Sequence, residues 1–273
     1  ISYLTVSLIV IYVPKIRTQN RMFADILPFI YQWIVVLAIL FLWVILTFAM
    51  DVPGCPKGYI GPGGIADDGD HRDCTGGAAL YIDKKLWGTD HIYQTPTCQP
   101  VYLTGAYDPE GTLGALNSIV LTYLGFQSGR IIKYFPNTHK GRVVRWWIWS
   151  AVCGIIALGL CGGTQNGGAI PVNKNLWSLS FILTTGCFAF FLLGAFYCLI
   201  DIKQWWAGWP FIWMGMNSII VYIGSEVLQN YFPFSFKTNG EHSMTLFTNL
   251  LGVSCWMLIA WYLYYIGVFV RLQ

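Results

Sequence analysis

The chain has 273 residues, of which 55% are hydrophobic and only 11% are charged. This composition excludes an intrinsically disordered chain, a collagen-like chain and a conventional soluble enzyme, whose charged fraction is about 25%. It is typical of an all-α polytopic membrane protein, whose spans need about 20 mostly apolar residues each. The net charge of +3 comes without a basic stripe, so we expect no nucleic-acid partner.

The apolar segments, taken in chain order, predict about seven transmembrane helices within a single transmembrane domain, residues 1–273. The first run, Ile1–Val13, is too short to span a bilayer, so we expect a truncated helix that belongs to a longer chain. Tyr81–Trp87, in the long loop that follows the first full span, predicts a short helical or interfacial turn. The six fuller spans are predicted at Ile26–Met50, Thr112–Phe135, Trp146–Cys161, Leu176–Ile200, Phe211–Leu228 and Met244–Val270.

Alternate loops hold most of the basic residues, and loops rich in Lys and Arg stay in the cytoplasm. We therefore predict a cytoplasmic C-terminus and place the long loop, residues 51–111, on the luminal side. The ten basic residues of these loops are Lys15, Arg17, Arg21, Arg130, Lys133, Lys140, Arg142, Arg145, Lys203 and Arg271.

Three cysteines, Cys55, Cys74 and Cys98, lie in the long loop, where an oxidising lumen permits a disulfide. We favour a bond between Cys55 and Cys74, which would close the Gly-rich segment; the alternative is three reduced cysteines. His71 and His91 share the loop, but its spacing contains no C-x-x-C or H-x-x-x-H pattern. We therefore expect no metal site.

Polar residues in or beside the second predicted full span are candidate site residues, because polar groups are costly in lipid. Asp108 and Glu110 precede this span and could line a substrate mouth. The alternative is a helix cap with Asp108 at the N-cap position. Asn117 lies beside a face of small residues that suits helix packing. Arg130 ends the span, where it could meet a phosphate or extend to the membrane interface.

Another group of polar residues lies in the segment 171–180, which leads into the fourth predicted full span. Asn173, Lys174 and Asn175 meet a helix start, whose backbone N–H groups attract anions. The alternative is a cap, with Asn175 at the N-cap position and Trp177 at the membrane interface. Ser178 follows within the same cluster.

A further group of polar residues lies in the predicted span Phe211–Leu228 and contains Asn217 and Glu226. A polar stripe of Ser218, Tyr222, Ser225 and Gln229 follows Asn217 at helical spacing. A carboxylate at membrane depth should face protein or a watery cavity. The alternative for Glu226 is a structural hydrogen bond to another helix.

Several strings of the sequence are distinctive when taken together in chain order. They are VPGCP at 52–56, GYIGPGG at 58–64, CTGGAA at 74–79, YID at 81–83, AYDPEG at 106–111, NSIV at 117–120, IPVNKNLWSLS at 170–180, GMNSI at 215–219, EV at 226–227 and NYFPF at 230–234. In this order they resemble the lysosomal transmembrane acetyltransferase family of heparan-alpha-glucosaminide N-acetyltransferase. The resemblance covers nearly all of the chain from Val52 onward and implies the C-terminal part of a larger multi-span enzyme.

The resemblance implies transfer of the acetyl group of cytosolic acetyl-CoA to the terminal glucosamine amine of heparan sulfate in the lysosomal lumen. The family's catalytic histidine belongs to a segment before residue 1, and none of the four histidines here matches its surroundings. The catalytic residue within this chain is therefore unknown, and we expect the fragment alone to be inactive. Proteins of this kind can dimerise in the lipid bilayer, although no residue here indicates a homodimer.

Acyl transfer needs a base for the amine and donors for the developing oxyanion. Within the implied activity, Asp108 and Glu110 could receive the glucosamine ammonium, and Lys174 could hold a sulfate or the phosphate end of pantetheine. Arg130, or the basic run 140–145, could attract the phosphates of CoA. The candidates for the wall of the acetyl and sugar site are Asn173, Lys174, Asn175, Ser178, Asn217 and Glu226.

Two other functions remain open from the residues alone. A transporter or channel with a luminal cap would use the same polar stripes and Gly-rich spans. A related membrane O-acyltransferase would share the motifs and modify a hydroxyl instead of an amine.

Overall fold

The computed structural model describes residues 1–20, 22–164, 167–238 and 240–270; Arg21 and Arg271, both assigned to cytoplasmic loops above, lie outside them. The described residues are all-helical, as the composition predicts, and contain no strand. They form two compact units, Ile1–Tyr197 and Cys198–Gln273. The single domain over residues 1–273 stays a prediction.

The first unit contains seven described α-helices. They are α1 (Ser2–Tyr12), α2 (Ile30–Ala49), α3 (Ala78–Trp87), α4 (Gln99–Tyr102), α5 (Thr112–Tyr134), α6 (His139–Cys161) and α7 (Leu179–Tyr197). The unit is built around α5, which packs against α1, α2, α3, α6 and α7. Helix α5 buries residues on several faces, among them Asn117, Gln127 and Arg130.

Four of the described helices are long and apolar enough to cross a membrane: Leu27–Ala49, His139–Cys161, Leu179–Ile202 and His242–Tyr265. The first of these includes the 3₁₀ turn Leu27–Phe29 ahead of α2. Helix α5 has 23 residues but is less apolar, because it carries polar residues. Three of these, Asn117, Gln127 and Arg130, are buried against other parts of the unit. The total of seven transmembrane helices stays a prediction.

Two predicted helix starts in the first unit are wrong. Helix α6 begins at His139 instead of Trp146, so its first turns carry the basic residues that the sequence analysis assigned to a loop. Helix α7 begins at Leu179 instead of Leu176. Trp177 has a φ angle of 46°, a left-handed conformation that a helix cannot include.

The long loop folds against the helices instead of standing apart. Ala79, Leu80 and Tyr107 are buried in the same core as residues of α2 and α5. The predicted helical turn Tyr81–Trp87 is present as part of α3. Cys55 and Cys74 are joined in a disulfide, which is the pair that the sequence analysis favoured.

Two glycines allow the loop backbone to fold closely on itself. Gly64 and Gly77 have φ angles of 62° and 51°, which strain any residue with a Cβ atom. A Cβ on Gly64 would also collide with the carbonyl of Tyr102, and one on Gly77 with the carbonyl of Tyr59. The glycine-rich sequence of this loop therefore serves close backbone packing.

The second unit contains α8 (Phe211–Met216), α9 (Ser218–Leu228) and α10 (His242–Tyr265), after a π-helical turn at Cys198–Ile202. The prediction of one continuous helix over Phe211–Leu228 is wrong, because Asn217 leaves helical geometry at φ −122° and ψ 33°. Its side-chain Oδ1 accepts a hydrogen bond from the Val270 N–H at 3.3 Å. Helix α10 ends before the predicted Val270, since Gly267 adopts a φ angle of 74°.

Candidate functional site

A polar cleft of about 690 Å³ lies between the long loop and the segment 168–175. We call it the loop cleft. Three of the predicted site residues, Asn173, Lys174 and Asn175, line it together. The other lining residues are Gly58, Tyr59, Ile60, Gly61, Pro62, Ala66, Asp67, Cys98, Tyr102, Gly168, Ala169, Pro171 and Val172.

The cleft wall at 173–177 is irregular chain held by side chains from elsewhere in the first unit. Tyr107 donates its hydroxyl hydrogen to the Asn175 carbonyl at 3.0 Å. Asn117, which is fully buried on α5, donates from Nδ2 to the Trp177 carbonyl at 2.7 Å. The Thr97 hydroxyl donates to Asn175 Oδ1 at 3.3 Å. Both α5 and the long loop therefore set the position of this wall.

Ser178 caps α7, so the alternative of an Asn175 cap is wrong. The Ser178 hydroxyl accepts from the Phe181 N–H at 3.3 Å and from the Asn173 N–H at 3.0 Å. Asn173 makes a turn of its own, in which Oδ1 accepts from the Asn175 N–H at 2.9 Å. The amide of Asn173 thus shapes the wall, and the side chain of Lys174 is exposed at the cleft.

The start of α5 is not capped by Asp108, in contrast to the alternative considered for that residue. Asp108 Oδ1 accepts from the Glu110 N–H at 2.9 Å in the preceding turn. The buried carboxylate of Asp83, on α3, accepts from the Thr112 N–H at the same distance. Asp108 and Glu110 do not line the loop cleft. Sequence reasoning missed Asp83, because no local pattern links α3 to the start of α5.

Tyr59 and Asp67 are cleft residues that the sequence analysis also missed. The Tyr59 hydroxyl donates to Asp67 Oδ2 at 2.9 Å and accepts from the Gly63 N–H at 3.0 Å. Burial is the main reason that the pKa of Tyr59 rises to about 12, so the phenol stays protonated. The glycine-rich string around Tyr59 was visible in the sequence, but nothing in it indicated that Asp67 would return to the same cleft.

Arg130 lies in the interior of the first unit, only 4% exposed. Its guanidinium donates to Tyr123 Oη at 2.8 Å and to the side-chain oxygen of Gln32. Its central carbon lies 3.8 Å from the ring centroid of Phe29. Among the described residues, no carboxylate forms an ion pair with it. Gln127 joins it to Asp25 through an Nε2 to Oδ2 hydrogen bond of 2.9 Å.

The basic run 140–145 is partly used within the protein. Arg142 donates to the Tyr197 hydroxyl at 2.6 Å and to the carbonyl of Phe135 at 2.7 Å. Arg145 donates to the Met22 carbonyl at 2.7 Å. Lys140 is exposed, as is Lys133 at the end of α5.

The remaining predicted site residues, Asn217 and Glu226, belong to the second unit. Asn217 is fully buried at the break between α8 and α9, and its Nδ2 has no hydrogen-bond partner within the described part of the chain. Glu226 is exposed on α9. Among the described residues, no group of three or more His, Cys, Asp or Glu side chains could hold a metal ion.

No family model matches the sequence, but two curated proteins do. The protein from Homo sapiens is 49% identical over 236 residues, which are 85% of this chain. The chain is similar to heparan-alpha-glucosaminide N-acetyltransferase. The Mus musculus protein of the same name is 48% identical over an equal stretch.

The match to heparan-alpha-glucosaminide N-acetyltransferase covers most of the chain but only 36% of each relative. The chain thus spans about a third of the length of the curated relatives it matches. This agrees with the resemblance to a part of a larger protein that the sequence strings indicated. At this identity, the helical arrangement and the loop cleft are expected to be shared with the matching part of the relatives.

Proposed function

We propose that the chain is part of a transmembrane acetyltransferase that moves the acetyl group of acetyl-CoA to the terminal glucosamine amine of heparan sulfate. The observation that carries this proposal is the 49% identity, over 85% of the chain, to a protein named for that acceptor and that reaction. The proposed location is the lysosomal membrane, with the long loop in the lumen and the C-terminus in the cytoplasm. The catalytic histidine implied by the resemblance is supplied by a segment before residue 1.

The loop cleft is the proposed acceptor site. It presents an ammonium, from Lys174, and a carboxylate, from Asp67, and these two charges do not pair with each other. The acceptor chain carries both signs of charge, an amine on its terminal sugar and sulfate or carboxylate groups behind it. In this proposal Asp67 receives the ammonium, which Asp108 and Glu110 were expected to do, and Lys174 receives an anionic group.

Tyr59 orients the carboxylate in this proposal. Its hydroxyl, held by the Gly63 N–H, donates to one oxygen of Asp67 and leaves the other to accept from the amine. The amine must lose a proton before it attacks the acetyl carbonyl, and a base outside residues 1–273 takes that proton. Asn173 and Asn175 shape the wall that the sugar packs against.

The donor is proposed to approach from the opposite, basic side. Lys133 and Lys140 are exposed there and can attract the phosphates of CoA. Arg142 and Arg145 already bind carbonyl oxygens of the chain. They therefore attract the phosphates through their positive charge and do not contact them directly. Arg130 is buried, and a phosphate would reach it only if the surrounding side chains moved.

Radiolabelled acetyl-CoA and a glucosamine-terminated acceptor, supplied to membranes that contain the full-length parent, test the proposal. We expect label on the sugar amine. Asp67→Asn should raise the acceptor KM about tenfold, the effect of losing a charge-assisted hydrogen bond of roughly 1.5 kcal/mol. Lys174→Ala should raise it similarly, with the donor KM unchanged. Lys84→Ala, which removes an exposed cation on α3, is the matched control.

The same assay separates the two other functions. Label on a hydroxyl would indicate an O-acyltransferase. Solute flux without acetyl-CoA, and no labelled sugar from a well-folded parent, would indicate a transporter or channel. Residues 1–273 expressed alone should transfer no label; transfer by this fragment would place the base among its own residues. The mass of the purified parent in detergent measures whether it forms the homodimer that the resemblance allows.

A further inference from the structure

A second, much smaller cavity lies in the first unit and shares Ile60 with the lining of the loop cleft. It is bounded by Trp43 and Thr47 of α2, by Gly76 of the long loop and by Ser178 at the start of α7, and its volume is about 10 Å³. Trp43 and Thr47 are each only 2% exposed. Trp43 Nε1 and Thr47 Oγ1 have no hydrogen-bond partner among the described residues. Two buried side chains with unpaired polar atoms therefore border one small cavity.

Thr47 differs from other helical threonines of this chain. A buried threonine in a helix usually donates its hydroxyl hydrogen to the carbonyl four residues earlier. Thr47 does not use the Trp43 carbonyl in this way, and its hydroxyl stays available to the cavity. The threonines that do donate to the carbonyl four residues earlier are Thr5, Thr122, Thr185, Thr245 and Thr248.

We propose that this cavity is a binding site for one water molecule, held by Trp43 and Thr47. A cavity of about 10–15 Å³ holds one water if at least two polar groups bind it. The indole N–H is only a donor, so the ligand must present an accepting oxygen to Trp43. The Thr47 hydroxyl can then accept from the water or donate to it. No charged side chain lines the cavity, which disfavours an ion, and its volume excludes an organic ligand.

The water satisfies two polar groups of one helix in this proposal. Trp43 and Thr47 lie one turn apart on α2, and the water binds both where α2 borders the long loop and the start of α7. Ser178 also borders the cavity, but its hydroxyl already binds the Asn173 N–H and the Pro171 carbonyl. The water site does not depend on the proposed acetyltransferase activity.

A structure of the full-length protein at a resolution that shows ordered waters tests the site directly. We expect one density peak within about 3.2 Å of both Trp43 Nε1 and Thr47 Oγ1, the range of an ordinary hydrogen bond. A cavity without such a peak, or a Thr47 hydroxyl rotated onto the Trp43 carbonyl, would overturn the proposal.

A double-mutant cycle in the full-length protein tests the coupling that a shared water creates. Trp43→Phe and Thr47→Val each remove one partner of the water, and each should lower Tm. The double variant should lower Tm by clearly less than the sum, because both polar groups that need the water are then gone.

Trp43→Phe combined with Thr122→Val is the matched control. Thr122 pairs its hydroxyl with the Ser118 carbonyl and does not line the cavity, so these two effects should add. Additive effects for the Trp43 and Thr47 pair as well would show that no shared water couples them.

Discussion

The two ends of α5 bind their neighbours in different ways. At the end that meets the long loop, side chains bond to backbone atoms: Asp83 to the Thr112 N–H and Asn117 to the Trp177 carbonyl. At the opposite end, side chains bond to one another: Arg130 to Tyr123 and Gln127 to Asp25.

The difference has a physical consequence. A bond from a side chain to the backbone fixes the path of an irregular segment, and substitution of one residue loses one bond. A buried network of side chains depends on every member, because the loss of one leaves the others unpaired. We therefore expect the first end to decide the shape of the loop cleft and the second end to decide the stability of the helix bundle.

Arg130→Met should have the largest effect. It removes the donor for Tyr123 and Gln32 in the interior, and we expect the free energy of unfolding to fall by about 3 kcal/mol, because two buried oxygen atoms lose a hydrogen bond from a charged donor. Denaturation of the full-length protein in detergent measures this loss. Lys133→Met, which changes an exposed cation on the same helix, is the control. Equal stability of the two variants would show that the network contributes little.

Asn117→Leu should have the next largest effect, at the other end of α5. It leaves the Trp177 carbonyl without its donor, and we expect a loss of about 2 kcal/mol. The loss should be accompanied by faster proteolysis within 171–178, which Arg130→Met should not cause. If both variants change the proteolysis rate of this segment equally, the two ends of α5 do not act separately.

Ser178→Ala should cost about 1 kcal/mol, the usual value of an N-cap serine. The variant also frees the Asn173 N–H, so the acceptor KM of the parent enzyme should rise along with the loss of Tm. Ser128→Ala is the matched control, because the Ser128 hydroxyl only bonds the Gly125 carbonyl of its own helix. A Tm unchanged relative to this control would mean that the cap does not stabilise α7.

Asp25→Asn should have the smallest effect and a distinctive pH dependence. Burial raises the pKa of Asp25 above its ordinary value of 3.8, so the folded state binds this proton more tightly than the unfolded state. The carboxyl group therefore makes the wild type less stable as pH rises from 3.8 through the raised pKa.

The asparagine variant lacks that titration and keeps an acceptor for Gln127. Thermal unfolding across this pH range should show that the stability of the variant, relative to the wild type, increases as pH rises. At neutral pH we expect it to be equally stable or up to about 1 kcal/mol more stable. If the stability of the wild type instead increases relative to the variant as pH rises, the attraction of Arg145, at 3.9 Å, has a larger effect on the pKa of Asp25 than its burial has.

Hydrophobic runs in the sequence identified most of the helices, because an apolar stretch of this length has few other stable forms in lipid. They failed where a single side chain redirected the backbone. Asn217 divides a run that is apolar on both sides, and the basic residues before Trp146 continue a helix that hydropathy alone would end. The apolar run alone placed the start of helix α5 at Thr112, where the structure has it.

The helical class could be predicted from the sequence, and so could a favoured disulfide pair that the structure contains. The polar residues 173–175, singled out in the sequence, line one cleft together. Apolar length, cysteine position and adjacent polar residues are local properties of the chain. Only the tertiary structure decided that Asp67 and Tyr59 face that wall, that Asp83 caps α5 and that Arg130 is buried. The reason is that these contacts depend on which segments the fold brings together. Asp83 meets the Thr112 N–H, a backbone group that is the same at every position, and Arg130 meets the side chain of Gln32 on another helix.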